Sequence, residues 1–206
     1  MSLRITKKGW NSRGERYLNF RYVDNMLYEM FKTSGSNLST TTSKVLALDR
    51  IYLTQFSRRG REDYTAKVAQ AIYESPFCRG LARVVGVAPF PNDTNIYKYH
   101  KDLTDVIYSV GGKNETVFAS KWLHFHFPLA FPIMDKRAND ILIEHLPNLR
   151  CNGEYTNFKD SLVGNFDLKY VAFSFRLKKL REEIMRKLRL RNSSVTVKEL
   201  DKFLYY

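Results

Sequence analysis

From Thr116 to Met134 the chain reads Thr-Val-Phe-Ala-Ser-Lys-Trp-Leu-His-Phe-His-Phe-Pro-Leu-Ala-Phe-Pro-Ile-Met, and Asp135 follows at once. In a chain that is 27% charged, a random run of this length would carry about five charges. This one carries a single charge, Lys121, when its two histidines are neutral. So apolar a run must be removed from water, in a bilayer or in a protein core. Pro128 and Pro132 break it too early for a membrane span, and Lys121 sits near the middle of its helical half. The pattern therefore predicts a buried helix that Pro128 stops near Phe127. Gly111 and Gly112 make the turn before it, Asn114 is placed to cap it, and Glu115 suits its first turn. Val117, Phe118, Trp122, Leu123, Phe125 and Phe127 point to nearly every side, as in a helix enclosed by others. Phe131-Pro132-Ile133 then runs extended, and Asp135 falls where a carboxylate accepts from the free amides opening the next helix.

The remaining chain supplies helices to enclose that element. An i, i+3, i+4 rhythm predicts helices over Gly14 to Lys32, Lys44 to Phe56, Glu62 to Glu74 and Lys136 to Leu146. Another helix, capped by Asn92 or Asp93, carries Ile96, Tyr99, Leu103, Val106, Ile107 and Val110 on one stripe. Phe158 to Leu190 reads as one or two long helices, with Leu168, Val171, Phe175, Leu180, Ile184 and Leu188 inward. The capping box Thr196-Val197-Lys198-Glu199 opens a last helix. Thr33 to Ser43 and Pro147 to Asn157 read as loops, and Pro76 to Pro91 as irregular buried chain with one short helix. The expected fold is all-α. At 206 residues and 24.2 kDa the chain suffices for one domain spanning 1–206, with room for two lobes of about 1–90 and 91–206.

Composition narrows the setting. A hydrophobic content of 44% excludes wholesale disorder. Two cysteines, Cys78 and Cys151, fit a reducing compartment and are too few for a four-cysteine iron-sulfur cluster. Met1 to Lys8 lacks a secretory apolar core and no later segment qualifies as a span, so a cytoplasmic monomer with no membrane partner is expected.

Thirty-four basic residues against 21 acidic ones give a net charge of +13, which favours a polyanionic partner, most commonly nucleic acid. The cations concentrate on one face of the long helix, at Arg176, Lys178, Lys179, Arg181, Arg186, Lys187, Arg189 and Arg191. Lys178, Lys179 and Arg186 are candidate phosphate contacts, against a merely solvated face. Arg58-Arg59-Gly60-Arg61 is a basic turn open to both roles. The turn at Gly111 and Gly112 offers backbone amides on which a phosphate can dock, with Lys113 and Asn114 beside them. A plain interhelical turn is the other explanation.

Lys121 also has two explanations. A helical lysine ordinarily snorkels its ammonium to water. Held instead against aromatic surface, it loses the charged form to desolvation, and the neutral amine is a nucleophile. His124 lies one turn on and is a candidate for the same pocket, as is Trp122, although both also suit a core. His124 and His126 form a His-x-His pair whose rings point apart on a helix, so no metal is expected. No Gly-rich nucleotide loop is present, and no cofactor is expected.

A glycine-containing hairpin, a lysine on the following helix, an apolar Pro-Ile segment and an aspartate at a helix entrance together resemble the helix-hairpin-helix DNA glycosylase superfamily. The likeness covers about Val110 to Leu142. It implies a two-lobed helical protein that flips a modified or damaged base out of duplex DNA and cleaves its N-glycosidic bond. By the same resemblance Lys121 attacks the sugar carbon, adding lyase chemistry, and Asp135 supports the cationic transition state or activates the nucleophile. The core Ser120-Lys121-Trp122-Leu123-His124-Phe125 and the ending Glu199-Leu200-Asp201-Lys202-Phe203-Leu204 also resemble a set of small bacterial and phage-associated proteins. Two other classes remain open: a helical DNA- or RNA-binding protein without chemistry, and a protein-interaction domain.

Overall fold

The computed structural model describes residues 5–12, 18–32, 37–51, 63–76, 90, 94–111, 113–149, 152–191 and 195–205. Every regular element among them is helical: α1 (Lys7–Ser12), α2 (Leu18–Lys32), α3 (Leu38–Ile51), α4 (Tyr64–Glu74), α5 (Asn95–Gly111), α6 (Thr116–His126), α7 (Lys136–His145), α8 (Gly153–Ser161), α9 (Leu168–Leu188) and α10 (Val197–Tyr205).

The apolar run forms the innermost helix, as its composition requires. Phe118, Ala119, Trp122, Leu123 and Phe125 of α6 are all buried, and α2, α3 and α5 pack against it. Phe31 of α2 meets Trp122 edge-on with ring centroids 5.2 Å apart and lies 5.5 Å from Phe125. One hydrophobic core joins side chains from Trp10 to Leu204. On the far side α9 packs on α5, where the His100 ring stacks on Tyr170 with centroids 3.8 Å apart. Helix α7 packs on α9 and α10.

Pro128 ends α6 as expected, with Phe127 at its C-cap. The chain then turns, Ala130 N–H donating to Phe127 O at 3.0 Å, and runs extended to Asp135. This buried stretch has no ladder of its own, so its polar groups need other partners. Phe131 O accepts from His124 at 2.7 Å, Pro132 O accepts from Tyr170 Oη at 3.1 Å, and Met134 N–H donates to Ser120 Oγ at 3.0 Å. Helix α6 therefore holds the segment that follows it.

Several expectations are corrected. Helix α3 begins inside the supposed loop 33–43. Asn37 Oδ1 accepts from Thr40 N–H at 2.7 Å, and the hydroxyls of Thr41, Thr42 and Ser43 bond back to carbonyls four residues earlier. Loop-like composition is thus satisfied within a helix. Helix α8 begins inside the supposed loop 147–157, because Asn152 Oδ1 accepts from Glu154 N–H and Tyr155 N–H at 3.0 and 3.2 Å. The stretch 158–190 is broken before α9, where Asp167 accepts from Lys169 N–H at 3.0 Å. Leu168, expected inward, opens α9 and is 59% exposed. Glu115, and not Asn114, occupies the N-cap position of α6. The expectations for Arg58 to Arg61, Cys78, Asn92, Asp93, Gly112 and Cys151 lie outside the described residues, as does all but Pro76 and Phe90 of the stretch 76–91.

Candidate functional site

Ser120 explains how two residues fourteen positions apart come together. Its hydroxyl is wholly buried, donates to Val117 O at 2.8 Å and accepts from Met134 N–H. Lys121 follows Ser120 and Asp135 follows Met134, so this one bond aligns the pair. Asp135 adopts extended backbone at the N-cap of α7, and its Oδ1 accepts from Ala138 N–H at 2.7 Å. The carboxylate is thereby fixed in direction.

Lys121 does not snorkel; it is 4% exposed. Burial holds its amine below the usual ammonium range, although Asp135 and Asp201 pull the other way. Asp135 is 8% exposed, and burial raises its carboxyl despite the Ala138 bond and the Lys121 charge. Each group thus favours its neutral form more than it would in water.

Two further helices complete the surroundings. Helix α2 contributes Asp24, 7% exposed, and Tyr28 one turn later; α10 contributes Lys198 and Asp201, again one turn apart. Tyr28 Oη and His124 Nε2 lie 2.7 Å apart, and the Lys198 ammonium sits 4.4 Å from the Tyr28 ring centroid. Since Phe131 O can only accept, His124 Nδ1 carries the proton and Nε2 accepts from Tyr28. That neutral state agrees with burial pushing the His124 pKa down to about 4. Burial, together with Asp135 and Asp24, raises the Asp201 carboxyl to about 8.

Ser120, Asp24, Tyr28, Lys198 and Asp201 escaped sequence reasoning. Two carried a readable signal. Asp201 interrupts the stripe Val197, Leu200, Leu204, and Asp24 stands on the stripe of Leu27 and Phe31. A carboxylate at core spacing needs a partner.

The remaining candidates sit elsewhere. Trp122 is packed between Phe31 and Phe118 and belongs to the core. His126 points away from His124, its ring 4.8 Å from Phe31. A side chain at Gly111 would run into the Tyr64 ring, which gives this glycine a packing reason. Lys113 and Asn114 are exposed at the hairpin. On α9, Lys179 pairs with Glu154 at 2.5 Å and Glu182 at 3.0 Å, and Lys178 lies 5.7 Å from the Phe158 ring centroid. Arg176 and Arg181 donate to Leu146 O and Val195 O at 3.0 and 2.8 Å. Part of the basic face therefore ties helices and loops together, while Arg186 is exposed. An open depression of about 450 Å³ lies along α7 directly after Asp135, lined by Lys136, Arg137, Asp140, Ile141 and Glu144.

Set against family models, curated proteins and solved structures, the chain finds no match in any of the three. No helix among the described residues is long and apolar enough to cross a membrane.

Proposed function

We propose that this protein is a DNA N-glycosylase that binds duplex DNA, flips out a modified or damaged base and cleaves its glycosidic bond. The supporting observation is a buried lysine, its ammonium disfavoured, electrostatically coupled to a carboxylate locked at a helix N-cap. A neutral Lys121 amine attacks the sugar carbon as the base departs, forming a covalent enzyme–sugar adduct. Breaking the bond builds positive charge on the sugar, and the oriented Asp135 carboxylate stabilises it without moving. The net charge of +13 supports the polyanionic partner, and Lys113, Lys136 and Arg186 are exposed to a phosphate. A base within a duplex must be flipped before its bond is reached.

The enclosure of Lys121 and Asp135 favours a second reading, a helical DNA- or RNA-binding protein in which the pair only joins α6 to α7. Incubation with abasic-site DNA and borohydride separates the two. The glycosylase traps a covalent adduct that Lys121→Ala abolishes, and releases free base from at least one of a panel of modified duplexes. Neither adduct nor base release, from protein that binds the same DNA in a salt-dependent way, leaves the binding protein standing.

A further inference from the structure

The described mechanism employs Lys121 and Asp135, yet a third ionisable group stands beside them. The C-terminal helix α10 packs on α7, the helix that Asp135 caps. Its Lys198 lies over Tyr28, and Tyr28 is bonded to His124 of α6. Those two contacts orient one face of α10 toward the site. Asp201 is one turn beyond Lys198 on that face. Asp201 is half-buried, more open than Asp24 or Asp135.

We propose that Asp201 is the general acid of this site, giving its proton to the nitrogen of the departing base. The inference rests on the glycosylase reading. As the sugar C1′–N bond breaks, its electron pair goes to the base nitrogen, which takes the proton from the Asp201 carboxyl. The Lys121 Nζ electron pair forms the new bond to C1′. Nζ then holds one proton too many, and the Asp201 carboxylate takes it, restoring the starting acid. Atoms and charge balance with no outside reactant.

The groups facing Asp201 assign the proton to it. Burial does most to raise its carboxyl, Asp135 and Asp24 add to this by repelling the ionised form, and Lys121 and Lys198 act in the opposite direction; the carboxyl holds its proton up to about pH 8. Burial raises the Asp135 carboxyl too, but its bond from Ala138 N–H and the Lys121 charge oppose that rise. Two carboxyls in different surroundings thereby divide the work of acid and charge stabiliser.

Asp201→Asn copies the shape of the protonated carboxyl and supplies no acid. Base release should fall roughly 100-fold or more. Adduct trapping from abasic-site DNA, where no base departs, should fall far less. Asp201→Glu should recover part of the base release. In the wild-type protein base release should decline as pH rises past about 8, a decline absent from the residual activity of Asp201→Asn. Equal losses of release and trapping, or wild-type release by a folded Asp201→Asn, overturn the proposal. Wild-type protein that neither traps nor releases overturns the glycosylase reading and this inference with it. Thermal unfolding of each variant separates loss of the acid from loss of the fold.

Discussion

Lys121 and Asp135 owe their properties to opposing effects of burial and charge. Desolvation penalises the ammonium of a buried lysine, and a nearby carboxylate restores it. At Lys121 the first wins, so the amine is closer to its reactive form than a lysine in water. Asp135 has two separable roles, and substitution divides them. Asp135→Asn keeps an oxygen for Ala138 N–H and should preserve stability within a few tenths of a kcal/mol, whereas Asp135→Ala should cost about 1 kcal/mol in urea unfolding. Both should lose base release, because both remove the negative charge. Wild-type release from Asp135→Asn would exclude this carboxylate from the chemistry. The sequence placed both residues correctly in kind: a lone charge in an apolar run, and a cap before a helix.

At the level of elements, the site depends on a helix gripping the extended strand of chain that leaves it. Ser120 sits beside Lys121 and bonds the amide beside Asp135. Ser120→Ala leaves Met134 N–H buried without that acceptor, at a cost of about 1–3 kcal/mol. Urea unfolding should show that loss, together with reduced adduct trapping. Stability unchanged within a few tenths of a kcal/mol would mean that the segment is held by its other two bonds, from His124 and Tyr170. Periodicity located α2, α4, α5 and α7, because each carries a face of apolar residues at helical spacing, while the apolar run with its stop at Pro128 located α6 and a capping box located α10. It missed the starts of α3 and α8, where Asn37 and Asn152 cap helices opened by serine, threonine or glycine. Such residues favour loops until their polar groups find backbone partners.

Across the whole molecule, burial of ionisable groups sets the response to pH. Burial pushes His100 and His124 down to about 4 and His126 to about 3. The unfolded chain binds protons at these histidines near pH 6.5, where the folded one does not. Their contribution to stability is therefore complete above pH 6.5 and is lost as pH falls toward 4. Asp201 runs the other way, because the folded protein holds its proton up to about pH 8 and the unfolded one releases it near 4. Three histidines outweigh one aspartate below pH 6.5, and above it Asp201 opposes the buried Lys121, whose lowered pKa leaves the extra proton on the unfolded chain. Urea midpoints should rise from pH 4.5 to 6.5, and between pH 6.5 and 8 Asp201→Asn should make the midpoint climb more steeply, or fall less, than in the wild type. A midpoint that falls between pH 4.5 and 6.5 would contradict the neutral burial of the histidines.

By itself the sequence determined the helical class, the enclosed α6, its stop at Pro128, the Asp135 cap and the basic excess. Those features follow from spacing, backbone geometry and composition, all of which act over a few residues. The tertiary structure decided which charges meet. Asp24, Lys121, Asp135 and Asp201 come from four helices, and several cations of the α9 face turn inward to carbonyls or pair with glutamates. Neither outcome has a local signature, because an electrostatic partner is chosen by which helix faces pack together and how far that packing excludes water.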